Sequence, residues 1–255
     1  MSIELAALLT LLLKLIFPLL RIGAFMLSSP LLSIDSVSLR LRISIALVLS
    51  VLVISLQQIP EYNPLSIDGV LIAFMEVFIG VMMGFTLQIV TAAFTVSGSF
   101  ISNSMGLSFA NIVDPGMGNV PIISQFFILL ATLIFLAMNG HLILMQILIG
   151  SFIAVPIGNY PDFTGWFDIL WLWTPKIFIA GIVLGLPVVI ALLVINMGLG
   201  IVTRAAPAMN IFSIGFPALL AGGFLFILVA LPGIETGMEA LWSEGVITIN
   251  RLLGL

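Results

Sequence analysis

Few side chains in this sequence could carry chemistry, and they lie far apart. Glu76 is the only carboxylate deep inside a long apolar run, and ionisable residues at membrane depth often relay protons. His141 is the only histidine. A relay needs partners, and no second carboxylate or histidine is spaced to join Glu76 within its own helix. We therefore expect Glu76 to hydrogen-bond between packed helices; normal transport and assembly in a Glu76→Gln variant would exclude the relay.

The composition excludes most other reactions. The chain has no cysteine, which rules out disulfides, thiolate metal sites and cysteine nucleophiles. One histidine cannot supply the paired imidazoles of a helix-borne zinc site, and no GxSxG, HExxH or phosphate-binding loop occurs. A net charge of −4 offers no basic surface for nucleic acid. The sequence predicts a protein that is not an enzyme and uses no metal or cofactor.

Hydropathy places these residues in a membrane. Hydrophobic residues make up 62% of the chain and charged residues 7%, whereas charged residues are about a quarter of soluble domains. The apolar runs are mostly near or above the roughly 20 residues of a spanning helix. They predict six to eight hydrophobic helices in a single integral membrane domain, residues 1–255. The runs are Leu5–Leu32, Ile43–Ile59, Gly69–Val96, Ile122–Met138, Leu142–Pro156, Ile169–Val202 and Ile211–Leu231.

The topology is only partly readable from charge. Arg40 and Arg42 mark one connection as cytoplasmic under the positive-inside rule, which places the N-terminus outside. Further along, Asn139-Gly140-His141, Pro175 and Pro187 interrupt the apolar runs, and a simple up-and-down count fails. These interruptions predict broken or re-entrant helices, as in transporters.

Between two apolar runs, residues 97–121 are rich in Gly, Ser, Asn and Met and carry one charge, Asp114. With Pro115 and several glycines, this stretch is not expected to hold a regular helix, so its backbone groups need other partners. Lipid supplies none, and irregular backbone at membrane depth survives only inside protein or beside water. The stretch predicts a gate or a pore lining. The alternative is a weakly charged surface loop outside the bilayer.

A stripe of small and polar residues marks one helix. Its members recur every four residues, a spacing that lets another backbone approach closely. The stripe predicts tight packing within this chain or against another subunit; the alternative is that glycines are simply common in membrane helices. The predicted packing residues are Glu76, Gly80, Gly84 and Gln88, with Ala92 continuing the spacing.

The C-terminal third contains two further features. Two prolines between Arg204 and Pro217 each predict a break, so that this segment forms the tip of a long hydrophobic hairpin. The tip residues are Arg204, Pro207, Phe212 and Pro217. Glu235–Leu255 is amphipathic at helical period, and Trp242 suits an interface, which favours an interfacial or partner-contacting helix.

Several short strings occur in the order found in one family. Together with the length and hydropathy, they resemble the FliR family of flagellar type III export-gate membrane proteins, and also the related subunit of virulence-type secretion systems. The strings are Met105-Gly-Leu-Ser-Phe-Ala110, Val113-Asp114-Pro115, Asn139-Gly140-His141, Val155-Pro156-Ile157-Gly158, Arg204-Ala-Ala-Pro207, Asn210-Ile-Phe212 and Gly215-Phe216-Pro217. The first string is closer to the flagellar branch.

The resemblance implies a place in the cell and a set of partners. Family members belong to an export gate in the bacterial inner membrane, at the flagellar basal body, through which unfolded flagellar proteins pass. The implied partners are FliP-like, FliQ-like and FlhB-like membrane subunits, unfolded secretion substrates and membrane lipid, without nucleic acid. The family's plug-like loop maps onto about Met105–Pro121. The implied plug residues are Met105, Gly106, Leu107, Phe109, Ala110, Asp114, Pro115 and Met117.

The sequence therefore predicts an all-α polytopic membrane protein of hydrophobic helices, with broken helical hairpins and a re-entrant plug-like loop. We expect the loop to close a conduit by apolar contact until a substrate displaces it. One rival is a secondary transporter for a small solute, which would favour two similar halves around a central ionisable site. The sequence has no repeat, and only Glu76 fits such a site. A second rival is a membrane scaffold in which the loop merely binds a neighbour.

Overall fold

The computed structural model describes residues 2–30, 38–57, 59–60, 62–64, 66–107, 121–159, 163–205 and 211–255, except the side chains of 2–11 and 211–214. Within these ranges the secondary structure is helical, without strands. The all-α prediction is confirmed. The helices are α1 (Ser2–Ser28), α2 (Leu39–Leu56), α3 (Ile67–Ser104), α4 (Ile122–Ala137), α5 (Gly140–Ala154), α6 (Phe163–Trp173), α7 (Lys176–Ala205) and α8 (Ile211–Leu253).

Four helical stretches in the described part of the chain are long and apolar enough to cross a membrane. The number rises to five if the bent pair α4 and α5 forms one broken span. A helix pairs its own backbone N–H and C=O groups, and it therefore needs no hydrogen-bond partners from lipid, which has none to offer. The prediction of a polytopic membrane protein is confirmed. The four stretches are Leu39–Leu56, Ile67–Ser104, Phe163–Ala205 and Gly215–Leu253.

Two helix breaks follow from local backbone chemistry. Only Met138 and Asn139 separate α4 from α5, and Asn139 adopts a left-handed conformation with φ 56°. Asn is among the few residues that take this conformation readily. A turn at Thr174 and Pro175 separates α6 from α7, where the proline ring removes a backbone donor. These breaks lie at two of the predicted interruptions.

Other expected breaks are wrong. Pro187 lies inside α7 and Pro217 inside α8, although both were expected to interrupt a helix. A proline removes one hydrogen bond and bends a helix, and neighbouring groups in membrane proteins commonly compensate for this loss. In α8, which is 43 residues long, the remaining turns continue the helix beyond Pro217. Pro207, the other expected break, lies outside the described residues.

α3 is longer than the sequence analysis predicts. It continues to Ser104, whereas all of residues 97–121 were assigned to irregular backbone. The helix tolerates Gly98 because this glycine has a packing role. A Cβ at Gly98 would lie 2.6 Å from the backbone nitrogen of Ser124 in α4. The part of the stretch up to Ser104 is therefore helical, and Gly98 belongs to a helix contact.

Backbone contacts divide the chain into two compact units. The first comprises Met1–Gln88, Asn139–Trp173 and Gly245–Leu255, and the second comprises Ile89–Met138 and Thr174–Glu244. Both α3 and α8 contain a boundary between units, so each helix contributes residues to both. The expectation of a single domain over residues 1–255 stays a prediction.

The core of the first unit is built around α1. Phe17, Ile22 and Phe25 are buried, and the Phe17 ring meets the Tyr62 ring edge to face at 6.3 Å. α1 also packs against α2. Arg21 is fully buried on the same helix, so that this apolar core encloses a cation.

The core of the second unit centres on Trp242. Its ring lies 5.6 Å from Phe94 and 4.7 Å from Phe135, and its indole N–H donates to the Ala131 carbonyl at 3.0 Å. Trp242 is 1% exposed. The expected position of this side chain at an interface is therefore wrong, because the apolar face of Glu235–Leu255 belongs to α8 and packs inside the chain.

Candidate functional site

The predicted gate loop leaves α3 through a Schellman motif. The Leu107 N–H donates to the Ser102 carbonyl at 3.0 Å, and the Gly106 N–H donates to the Asn103 carbonyl at 3.1 Å. Gly106 has φ 79°, a left-handed conformation that costs glycine little. This pattern satisfies carbonyls that would otherwise be unpaired at the helix end. Gly106 therefore has a defined backbone role, which is to turn the chain out of α3.

Met105 anchors the start of the loop in the core. It is 0% exposed, and a Cβ at Gly223 in α8 would lie 2.6 Å from its Cγ and Cε and 2.7 Å from its Sδ. The Met105 side chain thus lies directly on the backbone of α8. A thioether on a flexible stem suits such a close contact. Met105 is a core residue at the base of the loop, and Gly106 and Leu107 beside it are half-buried.

The other end of the loop is attached to the same helix. α4 begins at Ile122, directly after Pro121, and the buried Ser124 hydroxyl donates to the Thr95 carbonyl of α3 at 2.9 Å. The Ser124 and Ser99 hydroxyls are 3.1 Å apart and share a hydrogen bond. Together with the close approach at Gly98, these bonds join the first turn of α4 to α3. Both ends of the loop are therefore packed.

α7 completes this base with two small residues. A Cβ at Gly181 would lie 2.9 Å from the Ala93 carbonyl oxygen. A Cβ at Gly185 would lie 3.1 Å from the Ser97 hydroxyl. Glycines allow the backbones of two helices to approach closely and gain van der Waals contact. We call the packed parts of α3, α4, α7 and α8 around these contacts the loop base.

Of the remaining predicted plug and tip residues, the structure describes only some. Arg204 is exposed in the last turn of α7, and Pro217 is exposed in α8. Phe212 belongs to α8, and its side chain is outside the description. Their roles stay predictions. The predicted residues outside the described ranges are Phe109, Ala110, Asp114, Pro115, Met117 and Pro207.

Glu76 makes a buried ion pair that sequence reasoning missed. The Arg21 Nε–H donates to Glu76 Oε2 at 2.7 Å, and the Nη2–H donates to Oε1 at 3.0 Å. Arg21 is 0% exposed and Glu76 1%. This bidentate geometry matches the planar guanidinium to the planar carboxylate. The hydrogen bond expected for Glu76 is thus made to α1 of the same chain.

Arg21 also binds the C-terminal end of α5. Its Nη1 group donates to the Ser151 carbonyl at 2.9 Å and approaches the Ser151 hydroxyl at 3.3 Å. Its Nη2 group donates to the Val155 carbonyl at 2.9 Å. The Phe152 ring centre lies 4.3 Å from the Arg21 Cζ, within range of a cation–π contact. We call Arg21, Glu76, Ser151 and Val155 the buried polar cluster.

The glycines of the predicted packing stripe also face α1. A Cβ at Gly80 would lie 2.9 Å from the Ala24 Cβ, and a Cβ at Gly84 would lie 2.8 Å from the Ser28 Cβ. Both glycines are buried, whereas Gln88 is exposed. Within the described chain, Gly80 and Gly84 therefore contact α1. A contact of the stripe with another subunit stays a prediction.

Two signals in the sequence could have revealed the buried polar cluster. Arg21 lies in an apolar run and Glu76 lies deep in another, and buried charges are normally paired with one another. The partner of Glu76 is a cation on another helix, whereas a partner for a proton relay was expected among acids and histidine within the same helix. The contact of Met105 with Gly223 had no comparable signal, because glycines occur throughout these helices.

These observations define a class: an all-α, polytopic membrane protein in which the residues on both sides of 108–120 are packed against neighbouring helices. A family model described as "Bacterial export proteins, family 1" matches residues 12–245. The chain belongs to this family.

Named relatives agree with this assignment. The flagellar biosynthetic protein FliR of Escherichia coli (strain K12) is 35% identical over 229 residues, which cover 89% of this chain and 88% of the relative. FliR of Buchnera aphidicola subsp. Acyrthosiphon pisum is 33% identical over 249 residues, or 96% of each chain. FliR of Bacillus subtilis is 31% identical over 241 residues, or 92% of each chain. The chain is a membrane-embedded component of a flagellar export apparatus.

Proposed function

We propose that this chain is a gate subunit of the export apparatus in the bacterial inner membrane. It assembles there with FliP-like, FliQ-like and FlhB-like membrane subunits. The loop at Met105–Pro121 closes a conduit shared by these subunits until an unfolded flagellar protein displaces it. The role is passive and not enzymatic, and the energy for export comes from other components.

The loop base is the observation that carries this proposal. Met105 is seated on Gly223 at one end of the loop, and Ser124 is bonded to Thr95 at the other. A segment whose two ends are packed loses less conformational entropy on reaching a closed position than a free tail does. It can therefore return to the same position after each substrate.

Apolar and flexible side chains would form the seal. The proposed contacts come from Phe109, Ala110 and Met117, which are apolar, and Met adapts to partners of varied shape. An apolar constriction excludes water and ions without forming specific bonds. Unfolded substrates of different sequence can then displace it.

The experiment replaces residues 108–120 with a Gly/Ser segment of equal length. Met105 and Gly106 stay in place, so the loop base is preserved. We expect the ion conductance of the assembled complex in planar bilayers to rise several-fold above the wild-type value, because Gly and Ser cannot seal a conduit. The matched control replaces residues 206–210, between α7 and α8, in the same way, and we expect the conductance to stay near background.

Assembly must be measured alongside conductance. The amount of complex recovered and its thermal transition should match the wild type in both variants. If the loop variant assembles normally, stays at background conductance and exports flagellar proteins at the normal rate, the loop is not the seal. That result would favour the scaffold role.

A further inference from the structure

We propose that Arg21 and Glu76 form a conformational clamp that holds α1, α3 and the C-terminal end of α5 in one arrangement. Neither side chain carries a proton during export. This inference concerns the first compact unit and does not depend on the gate proposed for the loop.

The hydrogen bonds of Arg21 match its full donor capacity. A guanidinium has five N–H donors in a rigid planar fork. Arg21 makes two contacts with the Glu76 carboxylate, two with Ser151 and one with the Val155 carbonyl. A lysine has a compact ammonium group and could not reach all of these acceptors from one position. The geometry therefore requires arginine, and charge alone is not sufficient.

Arg21 also caps a helix from a distant part of the chain. The negative end of the helix dipole favours a cation, and the Ser151 carbonyl, which already accepts the Val155 N–H at 2.9 Å, accepts a second hydrogen bond from Arg21. Ser151 lies in the last turn of α5 and Val155 is its C-cap, and Pro156 follows directly. Arg21 supplies donors to this end from 130 residues earlier in the sequence. The clamp thus joins three segments that are far apart in sequence.

The clamp makes packing of these segments interdependent. An arginine in an apolar helix is costly when it lacks a partner, and a buried charge left alone destabilises a fold strongly. Arg21 is compensated only when α3 brings Glu76 and α5 brings its carbonyl groups. Arrangements in which α1 packs elsewhere leave a charge unpaired. The pair therefore selects one arrangement of the three helices.

The surroundings of the pair argue against proton transfer. Both oxygens of Glu76 accept hydrogen bonds from Arg21, and both residues are shielded from solvent. From α5, the groups that contact Arg21 are two backbone carbonyls, the Ser151 hydroxyl and the Phe152 ring. None of these α5 groups titrates in the physiological range.

The test compares single and double replacements with methionine. Glu76→Met leaves Arg21 buried without its carboxylate, and we expect Tm of the purified complex in detergent to fall by roughly 10 °C, with a matching loss of export. Arg21→Met/Glu76→Met removes both charges and keeps an apolar core of similar volume. We expect it to recover at least half of the lost Tm and of the lost export, because a buried pair can be replaced by packed apolar side chains.

A second pair in the same chain provides the control. Lys176 Nζ and Glu244 Oε2 are also 2.7 Å apart, but their side chains are 39% and 45% exposed. Exposed pairs contribute little to stability. We expect Glu244→Met to change Tm by no more than roughly 2 °C.

Three results would overturn the clamp. The first is a Glu76→Met variant with wild-type Tm. The second is a double variant that regains Tm but exports nothing, since this would require an ionisable group. The third concerns Arg21→Lys, which is measured if the double variant does not accumulate. Wild-type Tm and export in Arg21→Lys would show that the fork geometry of arginine is not needed. A fall in both Tm and export in Arg21→Lys supports the clamp.

Discussion

Met105 lies directly against Gly223, so the residue that begins the predicted gate loop is also a core residue of the second compact unit. Loop position and core packing are linked at this contact. Substitutions at the loop base should therefore alter both the stability of the protein and the quality of the seal. Control residues in the same chain separate those two effects.

Shortening Met105 should loosen the loop base. Met105→Ala removes a buried side chain and leaves a cavity on Gly223, at a cost of about 2–5 kcal/mol in the free energy of unfolding. We expect a lower Tm and a raised resting conductance of the complex. Met197 is 65% exposed in α7, and Met197→Ala should change neither. An unaltered Tm in Met105→Ala would contradict the packed base.

Substitution of Gly106 should disturb the exit of the chain from α3. Gly106→Ala places a Cβ at φ 79°, a conformation that costs an L-residue about 1–2 kcal/mol. Gly254 ends α8 at φ 73° in a similar turn, and Gly254→Ala carries the same backbone cost. We expect similar losses of Tm in the two variants, but a conductance increase only for Gly106→Ala. Equal conductance in both would show that the exit geometry is unimportant for sealing.

Gly98 should not tolerate a side chain. A Cβ there would meet the backbone of Ser124, and backbone atoms cannot move aside as a side-chain end can. We expect Gly98→Ala to cost roughly 1–3 kcal/mol through overpacking and to lower the yield of folded protein. At Gly150, in α5, a Cβ would meet no atom within 4 Å, so Gly150→Ala should be neutral or stabilising. Chemical denaturation of both variants measures the difference, and equal stability would contradict the close approach.

Trp242 should matter for stability rather than for membrane attachment. Trp242→Phe removes the hydrogen bond to the Ala131 carbonyl and part of the contact with Phe94 and Phe135. The loss should be about 1–3 kcal/mol in the free energy of unfolding. Membrane association should remain complete in flotation assays, because the long apolar helices are unaltered. Release of the variant from membranes with unchanged unfolding would support the interfacial position instead.

The sequence predicted the parts of this fold that depend on composition. Apolar runs identified the helices because a membrane span needs a long apolar stretch. The irregular backbone expected around Pro115 stays a prediction, since this residue lies outside the described ranges. The end of α3 was misplaced because Gly98, a helix breaker by propensity, fits a close contact with α4. Pro217 was misread because one missing hydrogen bond does not end a long membrane helix.

Partners across the fold were not readable from the sequence. Glu76 was identified as an unusual buried carboxylate, but its partner Arg21 is 55 residues away. No local spacing rule connects the two residues. Trp242 was assigned to an interface because its helix is amphipathic. Its buried position depends instead on aromatic neighbours from α3 and α4. Tertiary contacts, which a single sequence does not state, decided both cases.

The central claim is that the loop faces an enclosed passage, and accessibility of one loop residue tests it most directly. The chain has no cysteine, so Met117→Cys gives it a single reactive thiol, and labelling of this chain is read separately from that of the other subunits in the assembled complex. The measurement is its rate of labelling by a membrane-impermeant maleimide, relative to total labelling after denaturation. We predict slow labelling in the idle complex and a several-fold faster rate when a flagellar substrate is held in the conduit. Rapid labelling from bulk solvent in the idle complex, unchanged by substrate, would contradict the account.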